Sequence, residues 1–338
     1  MPSALDTPVV FMVFNRPALT ERVLRQIRRQ RPRRLWVISD GPRADSPSDL
    51  RQVARVRAAI DRLVDWPCEL TRDYADKNLG CGPRIASGLT SAFDRFDRAI
   101  VLEDDTLPDP SFFRFCETML DRYANDPRVV HVSGANSTAA LGLSQPQDAY
   151  RFSRIPDIWG WATWSRDWSH YDFRLSEWDT IDQADWLRSI TPHRPIRKLL
   201  RGAFNQQFRL GNNPRSWDPS WVYACLRRGL SVTPMRNLVS NVGFGRQSTN
   251  CELAAHPLAS LPTQPIDTQR LLAPPVEADP QLDDQLLRTR FEGDQAIARA
   301  SLVRRLRIDR AARSLLSGLL APGRGLAVRP HVRADAIG

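Results

Sequence analysis

Apolar and polar positions follow two rhythms over the first 135 residues. Pro8 to Phe14 is a continuous apolar run, as expected of a parallel strand buried on both faces. Leu19, Val23, Leu24 and Ile27 then recur at helical spacing behind Pro17, which suits the first turn of a helix. Leu35 to Ile38 reads as a second strand, ended at Asp40 by the turn Ser39-Asp40-Gly41-Pro42, and Leu50, Val53, Val56, Ile60 and Leu63 mark one face of a long helix. A weaker strand is predicted over Cys68 to Thr71. After Asn78-Leu79-Gly80-Cys81-Gly82-Pro83 a helix carries Ile85, Leu89 and Phe93, and the strand Ala99 to Leu102 delivers Glu103-Asp104-Asp105 at its end. Asp109 and Pro110 form an N-cap and first-turn pair for a helix faced by Phe112, Phe113, Cys116, Leu120 and Tyr123. Val129 to Val132 closes the series as another strand.

Strand and helix alternating in this way predict an α/β fold, an open and mainly parallel Rossmann-like sheet with helices on both faces and right-handed crossovers. Ligands of such sheets bind beyond the carboxyl ends of the strands. Asn15-Arg16, Asp40 and Glu103-Asp104-Asp105 all fall at those ends. From about residue 136 the character changes: eight of the ten tryptophans lie between Trp159 and Trp221, with little simple periodicity. Pro257, Pro262, Pro265, Pro274, Pro275 and Pro280 then read as an extended strap, and Ile297, Leu302, Val303, Leu306, Leu315 and Leu316 as a helical tail. The expected division is a ligand-binding α/β half over 1–135, a second half of the same domain over 136–255, and a strap with a basic tail over 256–338.

Composition changes this picture little, and charge changes it at one end. The 338 residues are 42% hydrophobic, enough for a large core, and no stretch approaches the roughly 18 apolar residues of a membrane-spanning helix. The five cysteines are odd in number and never in C-x-x-C spacing, so neither a disulfide framework nor a cysteine zinc site is expected, and a reducing cytoplasm is the default. The formal net charge is +10, and Lys77 and Lys198 are the only lysines among the cations. Nine arginines face a single acid, Asp309, between Arg299 and Arg333. Such a tail favours anionic partners, and a solvated helix face is the equal alternative.

Glu103-Asp104-Asp105 is the most informative triplet. Alternate residues of an extended chain face one way and can offer hard oxygen ligands to a divalent cation, leaving positions for phosphate oxygens. The ordinary alternative is a solvated turn. Arg16 can clamp a phosphate with its fork of donors, and Asp40 can accept from a base edge or ribose; a surface arginine and a turn-forming aspartate are the competing readings. Trp159-Gly160-Trp161-Ala162-Thr163-Trp164 and Trp217-Asp218-Pro219-Ser220-Trp221 surround one carboxylate with aromatics, although most of those rings are expected in the core. Asp218 fits a general base sheltered beside sugar-stacking indoles, or a helix cap. Gly80-Cys81-Gly82 begins like a dinucleotide fingerprint, but Ile85 stands where its third glycine belongs, and there is no Walker loop.

The order of these pieces resembles the GT-A glycosyltransferases, in particular the N-acetylglucosaminyltransferase I family (family 13) and its bacterial relatives, with bacterial family 2-like sugar transferases. The resemblance rests on F-N-R-P after the first strand, S-D-G-P after the second, V-L-E-D-D-T-L-P-D-P-S-F-F-R-F, W-D-P-S-W and N-V-G-F-G-R, over roughly residues 7 to 250. It implies a GT-A (nucleotide-diphospho-sugar transferase) fold. It also implies metal-dependent transfer of a hexosyl or N-acetylhexosaminyl group from a nucleotide-sugar donor, UDP in the first instance, to a glycan or lipid-linked acceptor hydroxyl. Asp105 would be the direct ligand of Mn2+ or Mg2+. Arg16, Asp40, Glu103 and Asp104 would hold the donor nucleotide, Arg246 would lie in a loop closing over it, and Asp218 would be the base of an inverting displacement. Two positions depart from the family: W-D-P-S-W stands for W-D-D-W, and Asn250 stands near where relatives tend to have histidine.

The basic tail adds an expected contact with the anionic inner face of a membrane, for a cytoplasmic enzyme of polysaccharide biosynthesis. A nucleic-acid-binding or membrane-binding protein without catalysis is the alternative from another class, although no recognition motif accompanies the basic residues. A sugar nucleotidyltransferase on a similar fold is the alternative within the enzymes, and Phe14-Asn15-Arg16-Pro17 lacks the glycine-rich, basic phosphate loop that class needs.

Overall fold

Every apolar run of the front half is a strand, and every helical pattern there is a helix. The computed structural model describes residues 4–138, 149–211, 215–244 and 258–288. The front half runs β1 (Val9–Val13), α1 (Pro17–Gln30), β2 (Arg34–Ser39), α2 (Pro47–Leu63), β3 (Glu69–Tyr74), α3 (Cys81–Arg95), β4 (Arg98–Glu103), β5 (Thr106–Pro108), α4 (Pro110–Arg122) and β6 (Val129–Ser133). The back half adds β7 (Tyr150–Ser153), β8 (Trp161–Trp164), α5 (Ser165–Trp168), α6 (Gln183–Ile190), α7 (Arg194–Leu210), α8 (Asp218–Arg228), β9 (Leu230–Pro234) and β10 (Val239–Asn241). Arg246, Asn250 and the arginine-rich tail lie outside the described residues.

The chain is a mixed α/β protein with one large sheet, ordered β3-β2-β1-β4-β8-β6-β9-β7, and helices on both faces. The four strands β3, β2, β1 and β4 pair in parallel, as the alternating pattern requires. β6 does not join β4 directly. β8 enters between them, antiparallel to both, and β7 closes the far edge antiparallel to β9. Gly160, at a φ of +65°, turns the chain into β8, and its carbonyl accepts from the Gly134 N–H at 2.7 Å. A two-stranded ribbon, β5 antiparallel to β10, stands apart from the main sheet.

Alternation along β1 divides the core. Val9, Phe11 and Val13 pack with α1, α2 and α4 on one face, while Val10 and Met12 pack with α3, α5 and α8 on the other. The second layer is built on tryptophan: Trp161 is fully buried and stacks on Trp217 with ring centres 5.7 Å apart. Trp168 and Trp221 join the same cluster, each such pair adding about 0.5–1.5 kcal/mol beyond burial. Most of the tryptophans are therefore core. A third cluster, centred on Trp178, Phe204 and Tyr223, joins α6, α7 and α8 to Leu286 and Leu287 of the helical segment 280–288. The described residues form one compact unit, and none of the described helices is long and apolar enough to cross a membrane.

Candidate active site

Helix α1 begins with Pro17, so Arg16 takes the N-cap position. Its side chain makes no capping bond and turns instead toward the end of β4. The sheet explains the reach: β1 and β4 are neighbours with Met12 opposite Glu103, so the segments that follow the two strands lie side by side. Arg16 Nη1 donates to Asp105 Oδ2 at 2.9 Å and Nη2 donates to Asp104 Oδ1, one guanidinium bridging both carboxylates. Burial works against its charge, but Asp104 and Asp105 outweigh burial and hold the guanidinium above its ordinary range.

The acids sit on a tight turn. The Thr106 hydroxyl accepts from the Glu103 N–H at 2.8 Å and donates to the Glu103 carbonyl at 2.9 Å, clamping the turn between β4 and β5. Asp104 is 2% exposed, its Oδ2 is buried without a hydrogen-bond partner, and its carboxyl is pushed up to about 6 by burial, with Arg16 opposing and Asp105 adding to the shift. Glu103 rises well above the ordinary carboxylate range, through burial first and then the charges of Asp105 and Asp218. The Asp105 carbonyl accepts from the Val242 N–H at 2.8 Å, which brings the chain after β10 against it. A Cβ on Gly243 would stand 2.8 Å from Asp105 Cγ, so only glycine permits this approach.

Asp40 follows β2 and is nearly buried. Its Oδ1 accepts from the backbone N–H groups of Gly41 and Leu79, at 2.8 and 2.9 Å, and its Oδ2 accepts from Asn78 Nδ2 and the Gly80 N–H, at 2.9 and 3.1 Å. Both oxygens therefore anchor the loop that opens α3. Gly41 makes that approach possible, since a Cβ there would lie 2.6 Å from the Lys77 backbone nitrogen. Beneath the loop the buried Arg84 donates to the Asp73 carbonyl at 2.6 Å and pairs with the Asp73 carboxylate.

Asp218 is the first residue of α8, where the helix end favours negative charge, and it accepts from the Ser216 hydroxyl. The Trp217 carbonyl accepts from Tyr171 OH at 3.1 Å, and the Tyr171 ring stacks on Trp168 at 4.2 Å, fixing the entry to α8 on the tryptophan layer. Arg16, Asp40, Glu103, Asp104, Asp105 and Asp218 all line one cavity of about 720 Å3 at the carboxyl ends of β1, β2 and β4.

The cavity also holds Asn78, Cys81 and Arg84, to which the sequence assigned no role at a site, together with Trp159 of the tryptophan-rich stretch and Gly243 of the Asn-Val-Gly-Phe-Gly-Arg motif. The Cys81 thiol opens onto the cavity yet is pushed up to about 12, by desolvation and by the charges of Glu103, Asp218 and Asp40. It is a neutral thiol at physiological pH. The sequence carried one signal for this wall, the Asn-Leu-Gly run before α3.

Among the described residues no three histidine, cysteine or acidic side chains converge as a ready-made metal cage. The donor types nevertheless suit a hard divalent cation: Asp104, with its unpartnered buried Oδ2, and Asp105 share one cationic partner and offer oxygens only, in a cavity with room for further oxygens from a ligand. No family model and no curated protein matches the chain. A mannosyltransferase, PcManGT from Pyrobaculum calidifontis in complex with GDP-Man and Mn2+, superposes at a TM-score of 0.34, with 15% identity over 67% of this chain and 70% of that one. A UDP-glucose pyrophosphorylase complexed with UDP-glucose gives 0.34, with 7% identity over 68% and 90%, and mouse xyloside xylosyltransferase 1 in its apo form gives 0.30, with 11% identity over 64% and 81%. Likenesses this loose say nothing of what the chain binds.

Proposed function

We propose that the chain is a glycosyltransferase of the GT-A kind, resembling family 13, that moves a sugar from a nucleotide-diphosphate donor to an acceptor hydroxyl with the aid of a divalent cation. One observation carries this reading: acids and a cation from four distant segments, at Arg16, Asp40, 103–105 and Asp218, share a single cavity at the carboxyl ends of parallel strands. Asp105, with Asp104 beside it, would hold Mn2+ or Mg2+, which when bound supplies positive charge to the diphosphate as its bond to the sugar breaks.

The chain's own residues divide the remaining work. Asp218 takes the proton of the acceptor hydroxyl as the oxygen forms its bond to the anomeric carbon. The anomeric C–O bond to the diphosphate breaks at the same time, its electron pair leaves with the diphosphate, and the configuration inverts. Arg16 offers donors to the departing phosphate oxygens. Asp40 keeps the 78–80 loop against the cavity wall, and Trp159, which lines the cavity, offers an indole for sugar C–H surfaces. UDP is the first nucleotide to try, and a glycan or lipid-linked glycan the first acceptor.

The test is a screen of nucleotide sugars with MnCl2, reading release of nucleotide diphosphate and transfer to added glycans. Asp218→Asn is expected to lower transfer by about 100-fold or more while donor binding changes little. Turnover of Asp218→Asn equal to the natural chain would remove Asp218 from the reaction.

A further inference from the structure

The acids that would receive a cation already hold one, and it is part of the chain. Arg16 spans Asp104 and Asp105 with two separate nitrogens, and all three side chains are at least four-fifths buried. Asp104 Oδ2 is left buried and unpartnered beside this bridge, and Glu103 lines the same cavity. One guanidinium thus faces three adjacent carboxylates, with Asp218 on the same cavity.

We infer that Arg16 occupies the seat of the divalent cation and is exchanged for it when a nucleotide diphosphate arrives. The inference rests on the glycosyltransferase reading and adds to it a mechanism that couples the two ligands. A cation binding alone must break both charge-assisted bonds of Arg16 and leave a guanidinium beside it without a partner. A diphosphate removes that obstacle, because its oxygens accept the same fork of donors that the carboxylates release. Cation and diphosphate therefore raise each other's affinity by the same factor, as linkage requires. The position of Arg16 helps the exchange: it stands at the start of α1, where the free N–H groups of the first turn also favour an anion.

Arg16→Gln separates the two roles, and Arg16→Lys, which keeps the charge but has no fork to bridge two carboxylates, provides a second variant. Circular dichroism and thermal melts establish that each is folded. Titrating MnCl2 alone by calorimetry, Arg16→Gln is expected to bind the ion about tenfold or more tighter than the natural chain, with Arg16→Lys between them. Adding UDP is expected to raise Mn2+ affinity about tenfold in the natural chain and much less in Arg16→Gln. The melt of Arg16→Gln without metal falls below that of the natural chain and rises more on adding MnCl2.

If Arg16→Gln binds Mn2+ no tighter than the natural chain, while UDP still promotes Mn2+ binding to the natural chain, the exchange is wrong and the glycosyltransferase reading stands. If neither protein binds Mn2+ with or without UDP, both are overturned.

Discussion

Asp40 shows how far a single residue can be read from its neighbours in sequence. Its place after a strand was legible, but the four donors that saturate it come mostly from residues 78–80, which only folding brings near. Asp40→Asn places an amide among groups that all donate, so it is expected to cost about 2–4 kcal/mol of stability in urea denaturation without any ligand. An unliganded stability equal to that of the natural chain would mean that Asp40 serves a ligand and not the loop. Arg16 teaches the same lesson. Its donors were legible, whereas its pairing with acids 88 and 89 positions away follows from the adjacency of β1 and β4. Asp109, by contrast, was fully readable: its carboxylate accepts from the Ser111 N–H at 2.9 Å and caps α4, an interaction contained within three residues.

At the scale of elements, strands buried on both faces announce themselves as unbroken apolar runs, which is why β1, β2, β4 and β6 were legible with small errors at their ends. β3 is one of the two edge strands, partly exposed along its length, and it runs from Glu69 to Tyr74, beyond the short stretch its few apolar residues suggested. The antiparallel entry of β8 was not legible, because Trp-Ala-Thr-Trp has strand character but carries no sign of direction. Nor was the ribbon of β5 and β10, two strands of three residues that are held by each other. The proline strap is legible only as extended chain; Asn237 donates to its Leu261 and Pro262 carbonyls, Arg122 donates to its Leu271 carbonyl, and the segment that follows is anchored by the buried Asp283. That carboxylate pairs with Arg151 at 3.2 Å, accepts from the Arg154 N–H at 2.8 Å and takes the Ser153 hydroxyl. Asp283→Ala leaves Arg151 buried without its partner and is expected to cost about 3–5 kcal/mol, with limited proteolysis cutting first between residues 258 and 288. An unaltered cleavage pattern would show that the segment's other contacts, among them Leu271, Leu286 and Leu287, hold it without Asp283.

For the molecule as a whole, the strong charges lie where they resist burial. Asp167, in the tryptophan layer, is pushed up to about 6 from 3.8 by burial, with Arg166 and Arg228 opposing. Between those pH values the native state holds a proton that the unfolded chain has released, so this group's contribution to stability falls as pH rises from about 4 to 6. Asp167→Asn removes that slope. Its melting temperature relative to the natural chain is expected to be higher at pH 7.5 than at pH 4.5, and a difference independent of pH would refute the shift.

The cavity is the more consequential case, since a bound cation would relieve the crowding of its acids. Calorimetric titration of UDP into the natural chain and into Asp105→Ala, each with MnCl2 and with EDTA, tests this most directly. The account predicts binding to the natural chain that is lost with EDTA, and little binding to Asp105→Ala under either condition. Equal UDP binding in all four titrations would contradict it.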